Sequence, residues 1–351
     1  MPDLSQDLLR WYDAHRRALP WRDEVSPWRT LVSELMLQQT RVETVLPYFE
    51  RFMARWPTPQ ALAADPLDAL NHVWSGLGYY SRARNLYAAA TAITAAGGFP
   101  TTVEGLRALP GVGPYTAGAI ASIALGLDEV AVDGNLERVL ARIHRYAGPR
   151  DGVVPLARQH LPPGRAGDYN QSLMDLGATI CTPREPACGR CPVASHCQAF
   201  QHQEVDRYPV KVPKKASPEV RGVAAVIRRG AQVLLARRPE TGLLGGLYEL
   251  PGLDPVPDGV DLGQALAGAL EERLGLQIAP TQALGTVRHI FTHRKLSLVV
   301  FDVHWLGTPT LQAWYTAMVW ADPQDPGALG LSTLARKALD LLTPARQAAL
   351  F

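Results

Sequence analysis

Two carboxylates, a glycine-bearing hairpin and a cluster of thiols are the residues in this 351-residue chain whose types and spacing could do chemistry. Glu34 is hemmed in by Leu31, Val32, Leu35 and Leu37. A carboxyl so placed loses solvation, its pKa climbs toward neutrality, and it can hold a proton and donate it at physiological pH. Asp133 ends an apolar run over 121–132, which reads as helix, and precedes an amphipathic stretch to Tyr146. It serves there as a helix cap or as a second working carboxylate. Between the two acids lies Leu109-Pro110-Gly111-Val112-Gly113-Pro114-Tyr115. Gly111 and Gly113 give the backbone freedom for a tight connection, and Pro114 suits the first position of a new helix. The bare amides at such a helix start attract a phosphate without reading base identity. All four cysteines, Cys181, Cys188, Cys191 and Cys197, fall in a C-x6-C-x2-C-x5-C run. Four thiols so close together favour a metal over disulfides, and thiolate chemistry alone admits either zinc or an iron–sulfur cluster.

The order hairpin, apolar helix, aspartate resembles the helix-hairpin-helix DNA glycosylases. Ser33-Glu34-Leu35-Met36-Leu37-Gln38-Gln39-Thr40 and Gly76-Leu77-Gly78-Tyr79-Tyr80-Ser81-Arg82-Ala83-Arg84-Asn85 are similar to signatures of the MutY-type adenine DNA glycosylases within that superfamily. The cysteine intervals resemble the 4Fe-4S loop of the endonuclease III and MutY branch. This resemblance implies that Glu34 is the catalytic acid and that Asp133 stabilises positive charge on the sugar, with Tyr115 and Asn135 positioning them and the water. It implies an adenine pocket of Arg17, Leu19, Trp21 and Gln171, the last an amide able to pair with the adenine edge. Gln38, Gln39, Thr40, the wedge residue Tyr79, Arg82 and the hairpin Gly111, Val112 and Gly113 are expected on DNA, with Pro183, Arg184, Arg190 and His196 adding charge near the cluster. The substrate implied is double-stranded DNA carrying adenine opposite 8-oxoguanine or guanine. Endonuclease III carries a Lys at the place of Tyr115 to form a Schiff base; a Tyr offers no amine and implies a water-using, monofunctional enzyme. The alternatives are an endonuclease III-like glycosylase and lyase for oxidised pyrimidines, or a non-catalytic iron–sulfur DNA-binding protein.

The C-terminal third implies a second role. Gly242 to Gly252 resembles the Nudix-like domain of MutY, and His289-Ile290-Phe291-Thr292-His293 is similar to its Phe-Ser-His loop, with Thr for Ser. Phe291, Thr292 and His293 are thereby expected to recognise 8-oxoguanine. With Gly275 set at the Gly of the Nudix hydrolase motif, that motif's Arg-Glu falls on Gly268-Ala269 and its Glu-Glu on Glu272-Arg273. One acid of three remains, too few to hold magnesium.

These groups must be carried by two domains, since 351 residues exceed one ordinary core. The expected fold is a mainly α helix-hairpin-helix glycosylase domain with a 4Fe-4S loop over 1–200, a basic linker over 201–218, and an α/β Nudix-like domain over 219–351. Helices are expected at 4–18, from Thr30, broken within 59–93, and from a Thr101/Glu104 capping box. Strands are expected at 220–227, 232–236, 283–291, 296–304 and 314–320, with helices after Asp261 and Leu331. A formal net charge of +2 puts any DNA affinity in local clusters rather than in overall charge. The acid-containing N-terminus and the lack of any run of about 18 apolar residues predict neither a targeting signal nor a membrane span. The expectation is a cytoplasmic, nucleoid-associated bacterial monomer.

Overall fold

A computed structural model describes residues 3–210 and 216–343. Linker residues Lys211, Pro213, Lys214 and Lys215 lie outside the described residues. The chain divides into two compact units, Met1–Ala64 with Arg84–Pro213, and Asp65–Ala83 with Lys214–Phe351.

The first unit is helical. Asp3 caps α1 (Leu4–His15) through the Ser5 amide; α2 (Pro20–Asp23) and α3 (Pro27–Leu37) both begin with proline, and Ser26 caps α3. Next come α4 (Val42–Arg55), α5 (Pro59–Ala64), α6 (Leu67–Val73), which belongs to the second unit, and α7 (Ser81–Ala95). Then α8 (Val103–Arg107) and α9 (Pro114–Ala119) form the hairpin, α9 running into a π turn at Ile120–Ala124. The unit closes with α10 (Gly134–Ile143), α11 (Val153–Gln159), α12 (Ala166–Thr179) and α13 (Gln198–Gln201). Leu136, Val139, Leu140 and Ile143 line one face of α10, and Tyr169, Leu173 and Leu176 one face of α12. They pack together with Leu4 and Leu8. Each such fully buried Leu contributes about 2 kcal/mol. Two local expectations are corrected. Thr102, not Thr101, caps α8, accepting from Gly105 N. The apolar run to Val132 is not one helix: Gly126 takes φ +68° after Leu125, a conformation that ends helices, and the chain continues without helix to Asp133.

The second unit sets helices on both faces of a sheet. Its elements are β1 (Glu219–Val226), β2 (Arg228–Arg229), β3 (Gln232–Arg237), β4 (Tyr248–Glu249), β5 (Gly252–Val256), α14 (Leu262–Leu274), β6 (Gln277–Ile290), β7 (Lys295–Leu306), β8 (Ala317–Ala321) and α15 (Thr333–Asp340). One sheet runs β5-β1-β7-β6 with β1 parallel to β7; the other joins β2, β3 and β4, with β8 beside β3. Strand alternation divides β1: Val223 and Ala225 meet Leu266 and Leu270 of α14, while Ala224 and Val226 meet Leu334 and Ala338 of α15. Asp261 caps α14 as expected. The last strand starts at Ala317 rather than Trp314, whose φ of +71° takes it out of extended backbone. The short β4 and β5 were not foreseen, and β6 begins at Gln277, earlier than its alternation suggests.

Candidate functional site

Glu34 lies on the third turn of α3, flanked by Leu31, Val32, Leu35 and Met36, none more than 1% exposed, and is itself 6% exposed. The Tyr115 hydroxyl, from the second residue of α9, donates to Glu34 Oε2 at 2.5 Å. Burial pushes the Glu34 carboxyl up to about 7; the Tyr115 bond and Arg22 oppose the rise, and Asp133 adds to it. Burial also raises the Tyr115 phenol well above its ordinary value. Asp133 is the helix cap its position allowed, and it lines the same cleft as Glu34. Its carboxylate caps α10, accepting from Asn135 N at 2.8 Å and Leu136 N at 2.7 Å, and also from Asn135 Nδ2 at 3.0 Å. Burial raises its pKa and those bonds hold the rise back. Glu34, Tyr115, Asp133 and Asn135 line one open cleft of about 1730 Å³, together with Arg17, Leu19, Trp21 and Gln171 and with Gln38, Gln39 and Thr40.

The walls hold residues the sequence reading missed. Asp175, four residues and one helical turn beyond Gln171, accepts from Arg17 Nε at 2.7 Å and Arg22 Nη1 at 2.8 Å. Burial pushes Asp175 up, but the two guanidiniums leave it below the usual carboxylate value. Arg17 therefore enters the cleft with its charge engaged, and Arg22 and Asp175 set its position. The i, i+4 spacing of Gln171 and Asp175 was the available signal. Trp21 is fixed edge-on to Phe49 at 5.3 Å. Arg150 also lines the cleft and donates to Val132 O at 2.7 Å.

In the hairpin, Gly111 takes φ +75°, and a Cβ there would stand 2.4 Å from Asn85 Cβ. Gly113 caps α9 at an ordinary φ of −83° with open space about it, so its missing side chain serves access rather than conformation. Val112 is 6% exposed and its amide donates to Leu109 O, so it packs the turn and offers no bare N–H. Gln39 holds φ +57° on the cleft rim. In the second unit, Tyr79 is 46% exposed at φ +50°, with its hydroxyl 3.4 Å from Thr292 Oγ1. Arg82, expected on phosphate, is 5% exposed and turned inward, donating to Leu77 O and Gly78 O beneath the rings of Trp74 and Tyr79. Its burial lowers the guanidinium to about 10. The β6–β7 turn carries Phe291 between His289 and His293, closed by Phe291 N on Arg294 O, and leaves Thr292 and His293 exposed. On α14, Arg273 stands where the hydrolase motif needs an acid and donates to Gly252 O.

The four cysteines surround one largely apolar hollow of about 300 Å³, with Ile180, Pro186 and Phe200. Among the described residues no three His, Cys, Asp or Glu side chains are arranged to hold a metal ion. Burial raises the thiols of Cys188 and Cys197 and pushes Cys191 up to about 12, so thiolates here need a positive group. Arg142, 2% exposed, donates to Cys181 Sγ at 3.3 Å. Arg138 joins the hollow to the acids, donating to Cys181 O and to Asn135 Oδ1, both at 2.8 Å. His196, expected toward DNA, is tied instead to Asp7 at 2.9 Å, which anchors the loop on α1.

Residues 32–160 match the family model described as HhH-GPD superfamily base excision DNA repair protein, and 222–341 match the NUDIX domain. The adenine DNA glycosylase of Homo sapiens is 36% identical over 94% of this chain and 72% of its own length; that of Buchnera aphidicola (subsp. Schizaphis graminum) is 30% identical over 96% and 98%. A thermostable thymine-DNA glycosylase structure covers 56% of this chain and 95% of its own at 27% identity and a TM-score of 0.52. An endonuclease III–DNA complex, at 23% identity and a TM-score of 0.50, shares the fold of the same part. Identity sustained through both units, over a helical repair fold with a buried acid in its cleft, assigns the family: the chain belongs to the adenine DNA glycosylases.

Proposed function

We propose that this enzyme removes adenine paired opposite 8-oxoguanine, and opposite guanine, from double-stranded DNA by hydrolysis, leaving an abasic site without cutting the strand. The observation that carries the reading is the Tyr115–Glu34 hydrogen bond beside Asp133, with Glu34 poised at about 7. The adenine nucleotide turns out of the duplex into the cleft, bounded by Leu19, Trp21 and Gln171, with Arg17 held in place by Asp175. Protonated Glu34 donates to adenine N7 and makes the base a leaving group; a general acid works best with a pKa near the operating pH. Positive charge then develops on the sugar, and the Asp133 carboxylate, fixed by three N–H donors, faces it with little reorganisation. Asn135 and Tyr115 orient the acids and the incoming water. Tyr115 carries no amine, which supports a monofunctional enzyme.

Gln38, Gln39 and Thr40 and the backbone of Gly111 and Gly113 meet DNA from the glycosylase part; Tyr79 wedges beside the orphan base, and Phe291, Thr292 and His293 read it. The functional division is glycosylase over 1–200, linker over 201–218 and base reader over 219–351. Cys181, Cys188, Cys191 and Cys197 fit a 4Fe-4S cluster, since all four line one hollow with Arg142 supplying charge. A bound cluster would be held by these four thiolates and would crosslink the 181–197 loop.

Single-turnover excision tests this on duplexes carrying adenine opposite 8-oxoguanine, adenine opposite cytosine, and thymine glycol opposite adenine, with and without alkali. Alkali-dependent cutting of the first alone is expected, and Glu34→Gln should bind that duplex while excision collapses. Alkali-independent cutting at thymine glycol, or unchanged excision by Glu34→Gln, overturns the reading.

A further inference from the structure

Tyr79 stands near the end of a segment, residues 65–83, whose fixings come from far along the chain. The Tyr80 hydroxyl donates to Leu331 O at 2.7 Å, and Ser75 Oγ donates to the same carbonyl at 3.1 Å. Arg336, from α15, donates to Ser75 Oγ through Nε and Nη2 at 3.1 and 2.9 Å. Arg237, from β3, reaches Asp68 Oδ1 at 3.0 Å. Packing here is close: a Cβ on Gly330 would lie 2.9 Å from Asn71 Cβ. Leu331 is fully buried and Tyr80 is 4% exposed, so their hydrogen bond is shielded from water. Tyr79 itself holds φ +50°, backbone that a tyrosine keeps only when its surroundings impose it. The hydroxyl at its tip reaches the β6–β7 turn at Thr292.

We propose that Tyr80 is a positioning residue for reading the base opposite adenine: seated on the Leu331 carbonyl, it fixes the left-handed Tyr79 at the recognition turn, so that wedge and turn act as one device. The inference rests on the roles given above to Tyr79 and Thr292. Adenine chemistry, in the cleft of the other unit, needs none of these contacts. Selectivity and catalysis should therefore separate. Loss of the Tyr80 hydroxyl lets Tyr79 relax away from Thr292 and weakens the advantage of 8-oxoguanine over guanine, leaving the guanine-paired rate where it was. Arg336, at Ser75, and Arg237, at Asp68, hold the same segment at two further points.

The test compares full-length wild type, Tyr80→Phe and the exposed Arg336→Gln in single-turnover excision of adenine opposite 8-oxoguanine and opposite guanine. The ratio of the two rates should fall about fivefold in Tyr80→Phe, as loss of one shielded hydrogen bond implies. It should fall less in Arg336→Gln, which serves if the tyrosine variant does not fold. In a Thr292→Ala background Tyr80→Phe should cost nothing further, the mark of two residues acting through one contact. An unchanged ratio, whether the two rates hold or drop together, overturns the proposal and assigns Tyr80 to packing alone. A wild type that excises both adenines at equal rates fails at the earlier step, the base-reading role of Thr292.

Discussion

Glu34 keeps its proton near neutral pH because burial among aliphatic side chains costs the charged form more than the Tyr115 hydroxyl returns. Excision should accordingly decline above about pH 7. Tyr115 favours the ionised acid, so Tyr115→Phe should move that alkaline limb to higher pH even as the rate falls; a limb that stays in place would show that the hydrogen bond does not tune the acid. Stability carries the same signature. A carboxyl whose pKa rises on folding, here from 4.5 to about 7, adds stability that is complete below 4.5 and lost as pH rises through 7. Glu34→Gln should thus melt above wild type at pH 8, by an amount of order 3 kcal/mol, and the gap should close on acidification to pH 4. Equal melting at pH 8 would mean that Glu34 carries no such penalty. This residue was legible in the sequence because its neighbours in the chain are also its neighbours in space. Arg82 was not: an arginine in a glycine- and tyrosine-rich loop looks the same whether it faces phosphate or, as here, turns under its own loop to hold Leu77 O and Gly78 O. Arg22 and Asp175 escaped because they meet across 153 residues.

Between residue and molecule, the element that matters most is the passage from α9 through its π turn to Asp133. Gly118 lies on α9 against the chain that returns to the aspartate, and a Cβ there would stand 2.2 Å from Val130 O. The two carboxylates are set on opposite sides of that contact, Glu34 through Tyr115 on α9 and Asp133 through the returning chain. Gly118→Ala must push them apart. Overpacking of this kind costs about 1–3 kcal/mol, and at about 2–4 °C per kcal/mol for a unit of this size the melting point should drop several degrees. Excision should fall with it. Gly268→Ala, in open space on α14, is the control and should melt at or slightly above wild type. A Gly118→Ala enzyme with wild-type melting and excision would remove the close approach from the account of the site. Sequence pattern reads 121–132 as one helix because the run is mostly apolar, but Gly126, Leu127 and Asp128 are exposed where the chain leaves its helix, and a short glycine- and acid-bearing break inside an apolar run does not by itself say so. β7, whose burial alternates from Leu296 to Val300, was legible, as was β1, an apolar run buried on both faces, whereas two-residue β4 forms only because β3 offers it a ladder.

The units of the whole molecule cut across the order of the chain. Residues 65–83 lie inside the stretch matched by the glycosylase family model, yet they pack with the C-terminal unit. Nothing local announces this. The partners of Ser75, Tyr80 and Asp68 are 256, 251 and 169 residues away, and a helical pattern interrupted by Gly76 and Gly78 reads as a loop on the nearer domain. A division of labour follows: the first unit carries Glu34 and Asp133, while the second carries both Tyr79 and Thr292. Cutting the chain after residue 210 should then do more than remove a reader of the opposite base. It takes away Leu331 O, Arg237 and Arg336, and leaves Ser75, Tyr80 and Asp68 without those partners, in a segment whose Trp74, Leu77 and Tyr80 are buried in the full chain. Chymotrypsin should cleave such a truncated protein first within 74–80, at Trp74, Leu77 and Tyr80, which the full-length protein buries, with the fragments identified by mass. Local opening without loss of the helical core should appear as faster amide exchange over 65–83 and unchanged exchange in α10 and α12. If the truncated protein resists cleavage at 74–80 as well as the full chain does, the segment is held by the glycosylase part after all, and the grouping of wedge with recognition turn fails with it.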